Sequence, residues 1–129
     1  MVTKERFAQG MTPRQYLDQM TMNKERFLAV LSSMTIRPEE ASLPERLGGA
    51  RHVLVITEDW CGTSIASVPF VFKLGEQSPE LDIRVFLRDE NPDVMDQFLK
   101  NGVYRSIPVI VFFDDQMQET ARFIERRPA

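Results

Sequence analysis

The sequence predicts an α/β domain in which a mixed four-stranded sheet lies between two layers of helices. Strand and helix patterns alternate after residue 50, and this order is typical of a parallel β-α-β crossover. Two apolar segments near the end of the chain are separated by the turn Asp114-Asp115-Gln116, which predicts an antiparallel hairpin. With 129 residues, of which 43% are apolar, the chain is long enough to form a single domain around one core.

The first fifty residues predict a helical extension that precedes the sheet. Thr12-Pro13 places a capping hydroxyl before a proline at the first helical position, which is typical of a helix start. Asn23 is expected to cap a second helix, over Lys24–Met34. Pro38 is expected to end that region, and Ser42-Leu43-Pro44-Glu45 to begin a further helix.

His52–Thr57 predicts the central strand of the sheet, because its Val-Leu-Val-Ile segment is apolar on both faces. A helix is expected over Thr63–Glu76, and Pro69 within it is expected to kink it. His52 is the only histidine of the chain, and we expect it at the surface rather than as a catalytic base.

The second half of the sheet follows from three further apolar segments. Leu81–Leu87 predicts a strand by its alternation, and Asn91-Pro92 then opens a helix that is expected to run through Leu99. Val109–Phe113 and Met117–Ile124 predict the two strands of the closing hairpin.

Composition excludes several classes of partner. The net charge of −3 argues against nucleic acid or an anionic membrane. No segment approaches the ~20 apolar residues that span a bilayer, and the N-terminus lacks the apolar core of a secretory signal. Cys61 is the only cysteine, so an internal disulfide cannot form. These features favour a cytoplasmic location.

Cys61 lies where the central strand passes into the following helix. The unpaired N–H groups and the dipole of a helix N-terminus favour the thiolate, which is the reactive form of cysteine. Ser64 and Thr63 are each placed to donate a hydroxyl to that thiolate, whereas the negative charges of Glu58 and Asp59 oppose it. The alternative is that Cys61 is a small buried hydrophobic residue.

Residues 51–125 resemble the thioredoxin superfamily. Trp60-Cys61-Gly62 resembles the start of the active-site motif Trp-Cys-Gly-x-Cys, and Pro69 lies where thioredoxins carry a proline within the helix. Ile107-Pro108 precedes an apolar strand, as the cis-proline of the family does. The resemblance implies a thioredoxin-like α/β/α sandwich in one domain, with residues 1–50 as a helical N-terminal extension.

The resemblance also implies a substrate groove beside the cysteine. In this family the proline loop packs against the active-site thiol, so Pro108 is expected next to Cys61. The Ser106–Ile107 backbone would pair with an extended substrate segment. Trp60 is expected to form one wall of the groove, with Gly62 beside it.

Two departures from the family pattern affect the expected function. Ser64 replaces the second, resolving cysteine, and Val55 replaces the buried acid six residues before Cys61. The chain is therefore not expected to be a dithiol oxidoreductase. A monothiol exchange with protein or small-molecule disulfides, in cell redox homeostasis, is implied instead. Glutathione or another small thiol would act as reductant, with no resident cofactor.

Other interpretations of the motif remain open. One is a non-catalytic module in which Trp60 and Ile107-Pro108 hold a peptide. Another is that Ser64 is an engineered replacement of a cysteine, although Val55 favours a natural departure. Residues 61–64 also resemble the Cys-Gly-Phe-Ser of monothiol glutaredoxins, which share an iron–sulfur cluster with glutathione. That match is partial, because no lysine precedes Cys61 closely and no Gly-Gly pair follows the proline strand.

The chain ends at Ala129, where a thioredoxin would continue into a last helix. One face of the sheet therefore needs other cover. We expect it from the N-terminal helices or from a second subunit, which makes a homodimer through those helices an expected assembly.

Overall fold

The computed structural model describes residues 1–124, so the expected boundary at residue 125 lies outside the described residues. Seven α-helices are present in this part of the chain: α1 Lys4–Phe7, α2 Pro13–Gln19, α3 Lys24–Ser33, α4 Pro38–Ala41, α5 Leu43–Arg46, α6 Ser64–Gln77 and α7 Pro92–Met95. A short 3-10 helix covers Arg88–Glu90. Four strands accompany them: β1 His52–Thr57, β2 Asp82–Leu87, β3 Val109–Phe113 and β4 Glu119–Ile124.

The strands form one mixed sheet in the order β2-β1-β3-β4. β1 pairs in parallel with β2 through the α6 crossover, and it pairs antiparallel with β3 on its other side. β3 and β4 form the antiparallel hairpin. The predicted sheet is therefore confirmed, and residues 53–56 of its central strand are completely buried, as their apolar character on both faces indicates.

Helices cover both faces of the sheet. On one face, α2, α3 and α6 enclose a core around three aromatic rings in edge contact, those of Tyr16, Phe27 and Phe72. On the other face, Val2 and Phe7 at the start of the chain join the buried residues around α7. The expected cover by the N-terminal segment is thus confirmed, while association of two copies through these helices stays a prediction.

The start of the chain also protects the outer edge of β2. Met11 N–H donates to the Val85 carbonyl at 2.9 Å, and Val85 N–H donates to the Met11 carbonyl at 2.7 Å. Gly10 precedes this bridge, and a Cβ at its position would lie 2.6 Å from the Phe86 ring. The N-terminal extension is therefore packed directly onto the sheet. No helix among residues 1–124 is long and apolar enough to cross a membrane.

Three sequence-based boundaries were wrong. The helix that begins at Pro92 ends at Met95 instead of running through Leu99, because the chain turns there to bury Phe98. Pro38 begins α4 rather than ending a region, since its fixed φ suits a first helical position. The fourth strand begins at Glu119 because Met117 adopts a left-handed conformation with φ of 59°.

Asn23 precedes α3 as predicted but does not cap it. Its φ of 59° turns the backbone away from capping geometry, and its side chain makes no hydrogen bond to the helix. Pro69 lies inside α6, which continues through it, and the expected kink stays a prediction.

Candidate active site

Residues 58–63 form a tight turn that joins β1 to α6 and presents the only cysteine. Cys61 N–H donates to the Glu58 carbonyl at 3.1 Å, and Ser64 N–H donates to the Cys61 carbonyl at 3.2 Å. Cys61 is 9% exposed, so the thiol lies at the margin of the core and not fully in solvent. The predicted strand-to-helix position of the cysteine is confirmed.

The Cys61 sulfur contacts two elements. Its Sγ lies 3.1 Å from Thr63 Oγ1 and 3.8 Å from the Ile107 carbonyl oxygen. The Ile107–Pro108 peptide bond is cis, and both residues are buried together with Ser106. The structure therefore brings together the thiol, a hydroxyl of its own turn and the proline loop, while the roles assigned to these residues stay predictions.

The first amides of α6 are less available to the sulfur than the sequence suggested. Three of them donate to carbonyls of the preceding turn at 3.2–3.3 Å, in the pairs Ser64 to Cys61, Ile65 to Gly62 and Ala66 to Thr63. Thr63 occupies the N-cap position, yet its side chain does not cap the helix. Its hydroxyl is therefore the donor closest to the sulfur among the described contacts.

Ser64 does not make the expected hydrogen bond to Cys61. Its Oγ is paired with Thr57 Oγ1 at 2.5 Å, and the residue is 2% exposed. Thr57 is the last residue of β1, so this bond ties the end of the strand to the start of α6. A function of Ser64 toward the thiolate stays a prediction.

Tyr16 is a buried polar residue of the N-terminal helices. It is 1% exposed, and its ring lies in edge contact with the rings of Phe27 and Phe72. Burial raises the pKa of Tyr16 to about 12, so the phenol is neutral at physiological pH. The sequence indicated only an apolar stripe at this position, and a buried tyrosine that needs a partner for its hydroxyl was the missed signal.

The loop between α2 and α3 holds the active-site turn. Asp59 Oδ2 accepts hydrogen bonds from Thr21 N–H at 2.8 Å, Thr21 Oγ1 at 3.2 Å and Met22 N–H at 3.1 Å. Asn23 Nδ2 donates to the Asp59 carbonyl at 2.9 Å, which explains why Asn23 does not cap α3. Burial raises the pKa of Asp59, but these bonds outweigh it and lower the pKa below its ordinary value.

Trp60 is the exposed aromatic residue of the turn, with 43% of its surface accessible. The Arg88 guanidinium lies 4.8 Å from the centre of its ring, in a cation–π contact. Arg88 Nη1 also donates to the Arg105 carbonyl at 3.2 Å. Arg88 therefore links the turn to the segment that enters the proline loop, a link that the sequence did not reveal.

Gly62 and Glu58 complete the turn. A Cβ at Gly62 would meet no atom within 4 Å, so no steric contact requires glycine there. Glu58 is 9% exposed, and its Oε2 accepts a hydrogen bond from Asp89 N–H at 2.9 Å. Burial raises the pKa of Glu58, and the hydrogen bond from Asp89 offsets this in part.

Other groups that carry chemistry lie away from this turn. His52, at the opposite end of β1, is partly exposed and packs edge-on against Phe7 with ring centres 5.2 Å apart. Within residues 1–124, no three His, Cys, Asp or Glu side chains are grouped as metal ligands would be.

The sheet is mixed and flanked by helices, a cysteine precedes the crossover helix, and its sulfur lies against the carbonyl that precedes a cis-proline. This arrangement defines a protein of the thioredoxin-like class. The sequence model of the thioredoxin family matches residues 10–129. The chain belongs to this family. The match includes most of the N-terminal helical region as well as the part that carries the motif resemblance.

Two solved structures share the fold over nearly the whole of this chain. A protein of unknown function from Pseudomonas aeruginosa is 18% identical, with a TM-score of 0.76 over 98% of this chain and 78% of that chain. An HIV epitope scaffold is 19% identical, with a TM-score of 0.75 and the same coverage. Fasciola hepatica thioredoxin is 24% identical over 64% of this chain and 75% of its own, with a TM-score of 0.47. No curated protein matches the chain significantly.

Proposed function

We propose that this protein carries out monothiol thiol–disulfide exchange with Cys61 as the nucleophile. The observation that carries the proposal is the location of Sγ, 3.1 Å from the Thr63 hydroxyl and 3.8 Å from the Ile107 carbonyl of the cis-proline loop. The hydroxyl is placed to donate to a thiolate, and the loop supplies backbone groups beside the sulfur for an extended substrate.

The reaction consists of two exchanges. The Cys61 thiolate attacks one sulfur of a disulfide, forms a mixed disulfide with it, and releases the other sulfur as a thiolate that takes a proton from water. An outside thiol then attacks the mixed disulfide as its thiolate, forms a disulfide with the bound group, and releases the Cys61 thiolate. The substrate disulfide is reduced at one sulfur, and no net oxidation of Cys61 remains.

The outside thiol is required because the chain has one cysteine. Position 64, where a resolving thiol would be needed, carries a hydroxyl that is paired with Thr57. Glutathione or an equivalent small thiol therefore acts as reductant in this proposal, and protein or small-molecule disulfides act as substrates. A reducing compartment such as the cytoplasm would supply such a thiol.

Incubation with oxidised glutathione tests the proposal. The folded protein is expected to gain the mass of one glutathionyl group, and reduced glutathione is expected to remove it. Cys61→Ser serves as the control that must gain nothing. If the folded wild type forms no adduct at pH 8 while the urea-unfolded protein does, Cys61 is not an exchange site and the proposal fails.

A second candidate function is a non-catalytic peptide-binding module. The observation that favours it is the contrast between Cys61, which is 9% exposed, and the more accessible aromatic and aliphatic side chains of Trp60, Val103 and Tyr104. In such a module an extended peptide would lie along the Ser106–Ile107 backbone, and the Cys61 sulfur would not react with it. A peptide that binds equally to wild type and to Cys61→Ala, without adduct formation, would support this function over the first.

A further inference from the structure

Three loops meet at the edge of the sheet where the thiol lies. Thr57 ends β1 and is paired with Leu87, which ends β2, so the active-site turn and the 3-10 helix Arg88–Glu90 leave the sheet side by side. Val109 begins β3 in antiparallel pairing with Ile56, and this pairing brings the proline loop to the same edge. The 3-10 helix, the turn and the proline loop are therefore neighbours.

One side chain of the 3-10 helix contacts both of the other loops. The Arg88 guanidinium carbon lies 4.8 Å from the centre of the Trp60 ring, and Nη1 donates to the Arg105 carbonyl at 3.2 Å. Nε donates to Asp89 Oδ1 at 3.0 Å, which orients the planar group. A flat, forked guanidinium can make these three contacts together, whereas the point charge of a lysine cannot.

Each of the two segments that the guanidinium joins also has an anchor of its own. Asp89 N–H donates to Glu58 Oε2 at 2.9 Å, and the Glu58 carbonyl accepts the Cys61 N–H at 3.1 Å. On the other side, the Arg105 guanidinium is held by Asp96 at 2.9 and 3.1 Å. The joining side chain therefore adds the position of the two segments relative to each other.

This relative position matters more for some substrates than for others. Cys61 is 9% exposed, whereas Trp60 beside it is 43% exposed. A small disulfide needs only the sulfur. An extended peptide also lies against Trp60 and the Ser106–Ile107 backbone in the proposed exchange, so a change in the separation of these two walls affects it more.

We propose that Arg88 is a positioning residue of the substrate groove, which holds the Trp60 wall and the proline loop in register and so favours disulfides within an extended peptide. The inference rests on the proposed function, because a groove for disulfides matters only where Cys61 reacts. It assigns to the 3-10 helix the choice of substrate, and not the attack by the sulfur itself.

The test compares two uncharged disulfide probes that release the same coloured product. One is an extended neutral peptide whose central cysteine is joined to pyridinethiol, and the other is dipyridyl disulfide, which has no peptide. In both, the Cys61 thiolate forms a mixed disulfide with one sulfur, and pyridinethiolate leaves and takes a proton from water. The measured quantity is the ratio of the two second-order rate constants, that of the peptide probe over that of the small probe.

Two variants of Arg88 change this ratio to different extents. Arg88→Lys keeps the positive charge but loses the planar contact with Trp60, so it is expected to lower the ratio about threefold, the factor for a cation–π contact at a partly exposed site. Arg88→Ala also loses the hydrogen bond to the Arg105 carbonyl and is expected to lower the ratio about tenfold. Arg122→Lys is the matched control, because the Arg122 guanidinium lies 5.0 Å from the centre of the Phe98 ring. It is expected to leave the ratio unchanged.

A double variant determines whether Arg88 acts through Trp60. Once Trp60→Ala has removed the ring, Arg88→Lys has no cation–π contact left to weaken, and it is expected to change the ratio no further. An Arg88→Lys effect of the same size in that background overturns the inference, because the guanidinium would then act elsewhere.

Failure of the inference and failure of the proposed function are distinguishable. A wild type that reacts with both probes, while Arg88→Lys and Arg88→Ala keep the wild-type ratio, overturns the inference alone. A wild type that reacts with the small probe but not with the peptide probe also overturns it, because no groove is then in use. A folded wild type inert to both probes overturns the proposed function. If Arg88→Ala does not fold, Arg88→Lys decides.

Discussion

Replacement of Asp59 by alanine is expected to loosen the active-site turn from the N-terminal helices. Its Oδ2 accepts three hydrogen bonds from the loop between α2 and α3, at 2.8, 3.1 and 3.2 Å. Hydrogen bonds to a charged acceptor contribute about 1.5–3 kcal/mol each when they are buried. Thr21 and Met22 are exposed, so water replaces much of what is lost. We therefore expect Asp59→Ala to lower the free energy of unfolding by about 1–2 kcal/mol in total.

The pH dependence of that difference checks its cause. The hydrogen bonds lower the pKa of Asp59 below its ordinary 3.8 in the folded state. A lowered pKa means that the stabilisation is complete above the unfolded pKa and is lost as pH falls through the folded one. The difference between wild type and Asp59→Asn, which cannot ionise, is therefore expected to be constant above about pH 5 and to shrink below pH 4.

Urea denaturation at several pH values measures these differences, and amide exchange at Thr21 and Met22 localises them. Asp18→Asn is the matched control, because Asp18 is an exposed acid whose only described ion pair, with Arg14, is 3.9 Å long. Its effect is expected to stay within about 0.5 kcal/mol. If Asp59→Ala changes stability no more than this control, or if the difference persists at pH 2.5, the turn is not held in the way described.

Two further predictions concern stability. Burial lowers the pKa of His52 from its ordinary 6.5, although Asp82 offsets this in part. The contribution of the neutral, buried His52 to the free energy of unfolding is therefore complete above pH 6.5 and is lost as pH falls below it. Urea denaturation between pH 7.5 and 5 is expected to show this loss in wild type and not in His52→Gln. At Gly10, a Cβ would lie 2.6 Å from the buried Phe86 ring and 2.9 Å from Arg84 Cβ. Overpacking by Gly10→Ala is therefore expected to lower the free energy of unfolding by about 1–3 kcal/mol, and with it the thermal midpoint. Gly62→Ala is the control and is expected to leave the midpoint nearly unchanged, because its Cβ would meet no atom within 4 Å.

Periodicity was enough to predict the sheet. All four strands were expected from their apolar runs, and their observed starts differ from the predicted ones by at most two residues. The largest difference is in the last strand, which was predicted over Met117–Ile124 and covers Glu119–Ile124. Capping chemistry was reliable where it is local. Thr12 and Gln15 form the reciprocal capping box of α2, with hydrogen bonds of 3.2 and 2.9 Å.

Sequence patterns failed where a distant contact competes with a local one. Asparagine is suited to capping a helix, but the Asn23 side chain donates instead to the carbonyl of Asp59, 36 residues away. The helix after Asn91 ends early because Phe98 is buried in the core below it. Neither competitor can be seen in a local window, since both depend on the packing of elements that are remote in sequence.

The motif comparison placed the functional part of the chain after residue 50, and the structure changes that division. In thioredoxins the buried acid assists the loss of a proton from the resolving thiol, and here Val55 stands in its place, buried in the core. A chain with one thiol has no resolving thiol to deprotonate, so a buried base would serve no step of the proposed exchange. What a monothiol reaction needs is a long-lived thiolate, and a neutral donor such as the Thr63 hydroxyl, 3.1 Å from the Cys61 sulfur, suits that need. The loss of the acid and the loss of the second cysteine are in this view parts of one change.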